Sequence, residues 1–536
     1  MKLNFSLLVS GWVFLLISCG EQHPPTDMTD HSLIPKPVSI AATNGTFVLD
    51  DDVTIYFDAG NSDMKKNAEY LASLLRPATS FDLEVQETKS TPGDGSIYLT
   101  TAAKVDTTLG PESYEMEITK DMVRIASTAP AGVFFGIQTM RQLLPAEIES
   151  EGAGKEEWYL PTGKIRDWPE YSYRGAMLDV SRHFFDVETV KKVIDYLALY
   201  KMNMLHLHLS DDQGWRIEIE SWPKLAEHGG STEVDGGEGG YYTKEDYKEI
   251  VQYAADHHIT VVPEIDMPGH TNAALASYAE LNCDGQTTDL YTGTKVGFST
   301  LCTDKEVVYE FVDDVVREIS EITPGPYFHI GGDESHVTED DDYVKFIDRA
   351  REIVRSHGKK VIGWDEIAHA DVNEQDIVQF WAREDNALEG NRKGAKVLMS
   401  PSKHAYLDIK YDSTTVLGLD WAGLTEVDDA YNWDPVKLVD GIEKVDIVGI
   451  EAPLWSETVT NLEEIEFMMF PRLAGHAEIG WTAAEQRLWS DYKNRLGRQK
   501  ERLEALGINY YESPLVPWQE QGDIFIDRTQ QGESSE

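Results

Sequence analysis

Between Gly175 and Glu457 the chain passes through eight short apolar runs: GAMLDVS, MNMLHLHLSD, TVVPEID, YFHIGGDE, KVIGWDE, DIVQFW, KVLMSP and DIVGIEAPLWSE. Several of the intervening segments carry helical spacing. After Asp186, Val190, Val193, Ile194 and Leu197 mark one face, and Thr243 with Asp246 offers the start of a capping box. Apolar strands separated by helices mean a parallel sheet covered on both faces. Eight such units predict an α/β fold closed into a (β/α)8 TIM barrel. An open doubly wound sheet would have fewer strands and a glycine-rich phosphate loop.

At 536 residues the chain is too long for one ordinary core. The barrel is expected over 161–490. Residues 33–160 mix candidate strands (VTIYF, SIYLT, YEMEI, MVRIAS) with helical stretches at 64–76 and 131–144, and read as a small α+β accessory domain. Pro169 marks the boundary, and 491–536 reads as a C-terminal helix and tail. The formal net charge of −48 repels phosphate backbones and anionic lipid surfaces, which excludes nucleic acid as a partner. An acidic surface keeps the chain in solution and names no ligand.

Lys2, the stretch LLVSGWVFLLI, Ser18 and Cys19 have the layout of a secretory signal, too short for a spanning helix. LISC resembles the lipobox of bacterial lipoproteins, which implies that residues 1–18 are cleaved and Cys19 is acylated. A signal peptide with an incidental cysteine is the alternative. Residues 19–32 read as a polar tether, and the expected location is periplasmic or outer-membrane-anchored. Cys283 and Cys302 are then a disulfide candidate, a staple worth roughly 3 kcal/mol by chain entropy, or two free buried thiols.

Nearly every apolar run ends in chemistry: Asp179 and Arg182, Ser210 and Asp211, Glu264 and Asp266, Asp333 and Glu334, Trp364 and Asp365, Trp381, Trp455 and Glu457. Barrel active sites sit on that face. In FHIGGDESH, Gly331 and Gly332 let the chain turn so that Asp333 and Glu334 both reach the barrel mouth. The charge of Asp333 favours a proton on Glu334, as a general acid requires. The structural alternative is an exposed acidic turn capping the next helix. Neighbouring carboxylates can hardly flank a sugar ring, so a glycosidase built on this pair takes its nucleophile from elsewhere, and the substrate itself is one source.

These residues resemble glycoside hydrolase family 20, the β-N-acetylhexosaminidases. HIGGDE looks like its signature, and the likeness extends through DVSRHFF, HLHLSDDQGWR, PEIDMPGH, GWDE, AYLD and PLWSE, over roughly 165–480. The resemblance implies that a 2-acetamido oxygen attacks the anomeric carbon, giving an oxazolinium ion and retention of configuration. Asp333 would orient the acetamido N–H, and Glu334 would protonate the leaving oxygen and then activate water. Tyr406 would donate to the acetamido oxygen. Trp364, Trp381 and Trp455 would wall in the N-acetyl group and the sugar's apolar face, or else plug the barrel core. Trp421 would contact the leaving group. Arg182, Asp408 and Glu457 would bind hydroxyls of the terminal sugar, and Asp211 with His270 would support Glu334.

Two rivals stay open. His206 and His208 share a strand face at the spacing of a metal-dependent barrel hydrolase, although later strand ends carry Trp and Glu instead of further histidines. A silent sugar-binding lipoprotein would carry a similar aromatic platform. The expected partner is an oligosaccharide or glycan, with terminal GlcNAc or GalNAc removed, and no metal or organic cofactor is implied.

Overall fold

The computed structural model describes residues 27–101, 106–152 and 158–518. The signal over 1–18, Cys19, the start of the tether and the tail beyond 518 lie outside the described residues.

The N-terminal unit is a seven-stranded mixed sheet. Its strands are β1 (Ser39–Leu49), β2 (Thr54–Asp58), β3 (Val85–Thr88), β4 (Ser96–Thr100), β5 (Tyr114–Ile118), β6 (Met122–Ser127) and β7 (Trp158–Asp167), in the order β1-β7-β5-β6-β4-β2-β3. The four expected strands are β2, β4, β5 and β6. Helices Ser62–Thr79 and Pro130–Leu143 pack against the sheet. In the second, every residue from Gly132 to Leu143 is buried, because the helix is caught between sheet and barrel. Phe134 meets the rings of His257 and His258, and Phe135 meets Trp481.

Three boundaries differ from expectation. β7 continues to Asp167 as part of the first sheet, so the accessory unit runs past 160. Met28 is fully buried in the core, so the polar stretch before Leu33 is already part of the fold. The C-terminal helices are Trp489–Gly497 and Lys500–Ala505, the first starting ahead of 491.

The eight apolar runs form a closed parallel barrel. Its strands are β8 (Tyr173–Asp179), β9 (Met204–His208), β10 (Thr260–Glu264), β11 (Tyr327–His329), β12 (Lys360–Trp364), β13 (Asp376–Phe380), β14 (Lys396–Met399) and β15 (Ile447–Leu454). β15 pairs with β8 to complete the ring. Asp186 caps helix Val187–Leu199 by accepting from Thr189 N at 2.9 Å, and Thr243 with Asp246 closes a capping box on helix Lys244–Asp256. Register decides what meets inside. Asp179 lies opposite His208, His208 opposite Glu264 and Glu264 opposite His329, so four ionisable residues share one level at the carboxyl ends of the strands.

The C-terminal helices clasp both units. Arg495 makes a two-pronged contact with Glu478, 2.7 Å on each prong, and also donates to Leu33 O at 2.8 Å. Glu478 in addition accepts from Tyr431 Oη at 2.7 Å and Lys36 N at 2.9 Å. Arg502 reaches Glu149 and Leu144 O in the first unit. Removing one partner of a buried pair strands the other charge at a cost of about 3–5 kcal/mol. Glu478→Ala is therefore expected to lower the melting temperature by several degrees, measured by calorimetry, with residual activity at 25 °C unchanged per folded molecule.

Candidate active site

The site is built from loops at the carboxyl ends of the barrel strands. After β11 the chain turns at Gly331 and Gly332, both at positive φ (65° and 99°), where L side chains are strained. A Cβ on Gly331 would lie 1.9 Å from Asp266 Oδ1, so no side chain fits there. Gly332 N donates to that same Asp266 oxygen at 3.0 Å, and Tyr343 Oη donates to Gly332 O at 2.6 Å. The turn delivers Asp333 and Glu334 to the mouth. Glu334 and His270 themselves hold positive φ, 46° and 54°, uncommon for such residues and of the kind that gathers at functional sites.

The two carboxyls differ in depth. The Asp333 side chain is 10 % exposed and that of Glu334 27 %. Burial first, then the charges of Asp266 and Glu334, push the Asp333 carboxyl well above the usual carboxylate range. Adjacency acts on Asp333 as well, but burial is the larger cause. Asp333 Oδ1 is buried with no protein partner. His270 Nε2 lies between the pair, 3.7 Å from Asp333 and 3.6 Å from Glu334.

His270 Nδ1 faces Asp211 Oδ1 at 3.2 Å, and Arg182 Nη2 meets Asp211 Oδ2 at 2.8 Å. Burial opposes charge on both Asp211 and His270. Arg182 and His270 nevertheless hold Asp211 well below its ordinary value, and Asp211 and Asp333 hold His270 well above its own. Arg182 is anchored by Asp179 at 3.3 Å and lies over the Trp455 ring at 4.7 Å, leaving its buried Nε without a partner. Asp408 has both carboxylate oxygens buried and unpartnered, and Glu457 has one. Burial and the Glu457 charge raise Asp408 well above the carboxylate range. Buried polar atoms without protein partners are ready to bind a polyhydroxylated ligand.

Trp381 and Tyr406 stack at 6.4 Å and 15°, and Tyr406 lies 6.3 Å from Trp455 and 6.0 Å from Trp421. Trp381 Nε1 donates to Glu366 Oε2 at 3.0 Å, while Asp365 holds the following turn through the backbone N–H groups of Trp381, Ala382 and Arg383. Tyr406 stays a neutral donor, since burial and the charges of Asp333 and Asp408 raise it well above its ordinary value. The cavity enclosed is about 200 Å³, and Trp381, Tyr406, Trp455, Asp333, Glu334 and Asp408 are among its walls. Trp364 is 1 % exposed and packs behind Trp455 at 5.7 Å instead of facing the cavity. Asp211 and His270 also sit behind the surface.

Thr294 and Val296 line the mouth, and no motif marked them. They lie on a loop bridged by Cys283 and Cys302, which are joined with S–S 2.12 Å. His206 and His208 face inward and meet carboxylates: His206 contacts Glu451 and Glu264 (2.9 and 3.0 Å), and His208 contacts Glu264 and Asp211 (2.5 and 3.0 Å). A larger cavity of 770 Å³ opens at the amino ends of the strands beside Tyr171 and Trp433. Two of the three acids on its walls, Glu170 and Asp434, are paired with Lys444 and Lys437.

A barrel with adjacent carboxyls, a tyrosine donor and an aromatic-walled cavity defines a glycoside hydrolase site. The family models for the glycosyl hydrolase family 20 catalytic domain (171–484) and domain 2 (30–168) both match, and the chain belongs to that family. A β-N-acetylhexosaminidase of Cellulomonas fimi is 39 % identical over 92 % of this chain and 98 % of its own length. A β-hexosaminidase of Porphyromonas gingivalis is 35 % identical over 92 % and 67 %. Among solved structures, the β-N-acetylhexosaminidase of Streptomyces coelicolor A3(2) superposes with TM-score 0.89 at 49 % identity, covering 93 % of this chain and all of that one. A mutant Streptomyces plicatus β-hexosaminidase in complex with product GlcNAc gives TM-score 0.88 at 49 % identity, covering 92 % and 99 %.

Trp421 is 54 % exposed at the edge of the cavity, against Trp381 at 6.0 Å. Its contact contributes area and little else, so Trp421→Ala is expected to raise KM about tenfold with kcat within about twofold, in steady-state kinetics on an oligosaccharide.

Proposed function

We propose that the protein is an exo-acting β-N-acetylhexosaminidase that removes terminal non-reducing GlcNAc or GalNAc by a retaining, substrate-assisted reaction. The observation that carries this reading is the cavity in which Asp333 Oδ1, Tyr406 and the aromatic walls converge beside Glu334. A second carboxylate across the sugar is not required if the acetamido oxygen attacks the anomeric carbon.

In this reading the unpartnered Asp333 oxygen takes the acetamido N–H and, once ionised, stabilises the positive charge that grows on the nitrogen. Tyr406 donates to the acetamido oxygen and aligns it. Glu334, the more exposed acid, gives its proton to the glycosidic oxygen, and the carboxylate left behind removes a proton from the water that opens the oxazolinium ring. Asp408, Glu457 and Arg182 Nε bind the hydroxyls and fix the sugar against the Trp455 face. Chitin oligosaccharides and N-acetylhexosamine-terminated glycans are the substrate class.

The decisive measurement compares a chromogenic β-N-acetylglucosaminide with the glucoside in which a hydroxyl replaces the acetamido group. Turnover of the second at a comparable rate would overturn substrate assistance. Glu334→Gln is expected to abolish hydrolysis of unactivated substrates. Asp333→Asn is expected to lower kcat by about 10²–10³ with KM changed far less, because the charge it stabilises is a transition-state charge.

Anchoring by an acylated Cys19 is supported by LISC and by a bridge of the kind found in oxidising compartments. Metabolic labelling with a fatty acid is expected to mark the native protein and not Cys19→Ser. An unlabelled native protein would leave a cleaved signal in its place.

A further inference from the structure

One buried carboxylate touches both halves of the machinery. Glu264 ends β10, is fully buried, and has four neighbours. Oε1 accepts from Trp364 Nε1 at 2.9 Å and lies 3.0 Å from His329 Nδ1. Oε2 lies 2.5 Å from His208 Nδ1 and 3.0 Å from His206 Nε2. His208 carries the contact onward through Nε2 to Asp211 Oδ2 at 3.0 Å. With Arg182 on the same oxygen at 2.8 Å, Asp211 keeps only Oδ1 for His270. The line of side chains therefore runs from the barrel interior to the catalytic pair with alternating capacity for charge: carboxyl, imidazole, carboxyl, imidazole, carboxyl.

We propose that Glu264 and His208 are positioning residues for the hydrolysis: the His208 bridge turns Asp211 so that His270 presents Nε2 to Glu334 and Asp333, while the other Glu264 oxygen fixes Trp364 behind the sugar-facing Trp455. His208, an imidazole between two carboxylates, has both nitrogens committed, so rotation of its ring breaks two contacts. The charges fit the arrangement. Burial disfavours them, but Glu264 and the hydrogen bonds to Asp211 and Glu264 raise His208 well above its ordinary value. His208, His329 and His206 in turn hold Glu264 well below its own. The interior is thus a preorganised support for groups that move protons at the mouth.

The proposal rests on the reading of Glu334 as proton donor, and the test separates the two. His208→Gln places its amide N–H where Nε2 reaches Asp211, whereas His208→Asn places it where Nδ1 reaches Glu264. Each is assayed on a β-N-acetylglucosaminide with a dinitrophenyl leaving group, which needs no protonation, and on chitobiose, which does. Positioning predicts that His208→Asn loses about tenfold to a hundredfold in kcat/KM on chitobiose and less than threefold in kcat/KM on the dinitrophenyl substrate, which reports departure of the leaving group alone. His208→Gln should retain most of the chitobiose rate. Equal losses on both substrates, or equal losses in both variants, would make His208 a packing residue and overturn the proposal. Where the histidine variants do not fold, Glu264→Gln carries the same comparison, since it keeps an oxygen for Trp364 Nε1 and puts an amide N–H in place of the oxygen that faces His208. A selective loss on chitobiose supports the line, and an even loss overturns it. If instead Glu334→Gln loses kcat/KM equally on chitobiose and on the dinitrophenyl substrate, the proton-donor reading itself fails.

Discussion

The structure depends on pairing charge inside a closed parallel barrel. A buried carboxylate is costly unless it is paired, and Glu264 has Trp364 and three imidazoles within 3.0 Å, as Glu451 has Tyr173, His206 and Gln379. Most barrels fill this level with branched aliphatics. Here the register of β8 to β11 sets Asp179, His208, Glu264 and His329 side by side, so backbone pairing brings together groups that would be costly to bury alone. Val262, Ile362 and Leu398 belong to a separate buried apolar cluster of the barrel. The mouth inherits a rigid, polarised floor.

On that floor, adjacency of two acids becomes useful. A pair on consecutive residues could not grip a sugar from opposite faces, but the turn at Gly331 and Gly332 gives them different depths, and depth gives them different chemistry. In the proposed reaction the deeper acid serves the acetamido group and the shallower one the glycosidic oxygen. His270, between them and tied back to Asp211, couples the two without touching either at hydrogen-bond distance.

Much of this was legible in the residues. All eight barrel strands were readable because continuous apolar runs separated by helical segments fit little besides a buried parallel sheet, and the clustering of polar residues at their ends located the mouth. The first sheet was only partly readable. β3 is a short polar edge strand, β7 contains Pro161 and Gly163, and β1 alternates small and polar residues around a register break between Ala42 and Thr46. Within the site, residue types announced the chemistry but could not rank it. Burial separates Asp333 from Glu334, and burial is a property of the packed chain. Glu264 and His208 stood in view inside apolar runs, yet their partnership is set by strand register. Thr294 and Val296 sit on a loop without periodicity, and only its closure places them at the cavity.

The clasp made by Arg495 joins residues far apart in the chain: it grips Glu478 near the end and the Leu33 carbonyl near the beginning, 462 positions away. Such a contact forms only once nearly the whole polypeptide exists. While a ribosome is still extending the last helices, the barrel and the small sheet can meet through contacts such as Lys201 with Asp167 at 2.9 Å, but the clasp is not yet made. Synthesis therefore leaves a window in which the two units are assembled without their clasp, and that window closes only after Arg495 has been made.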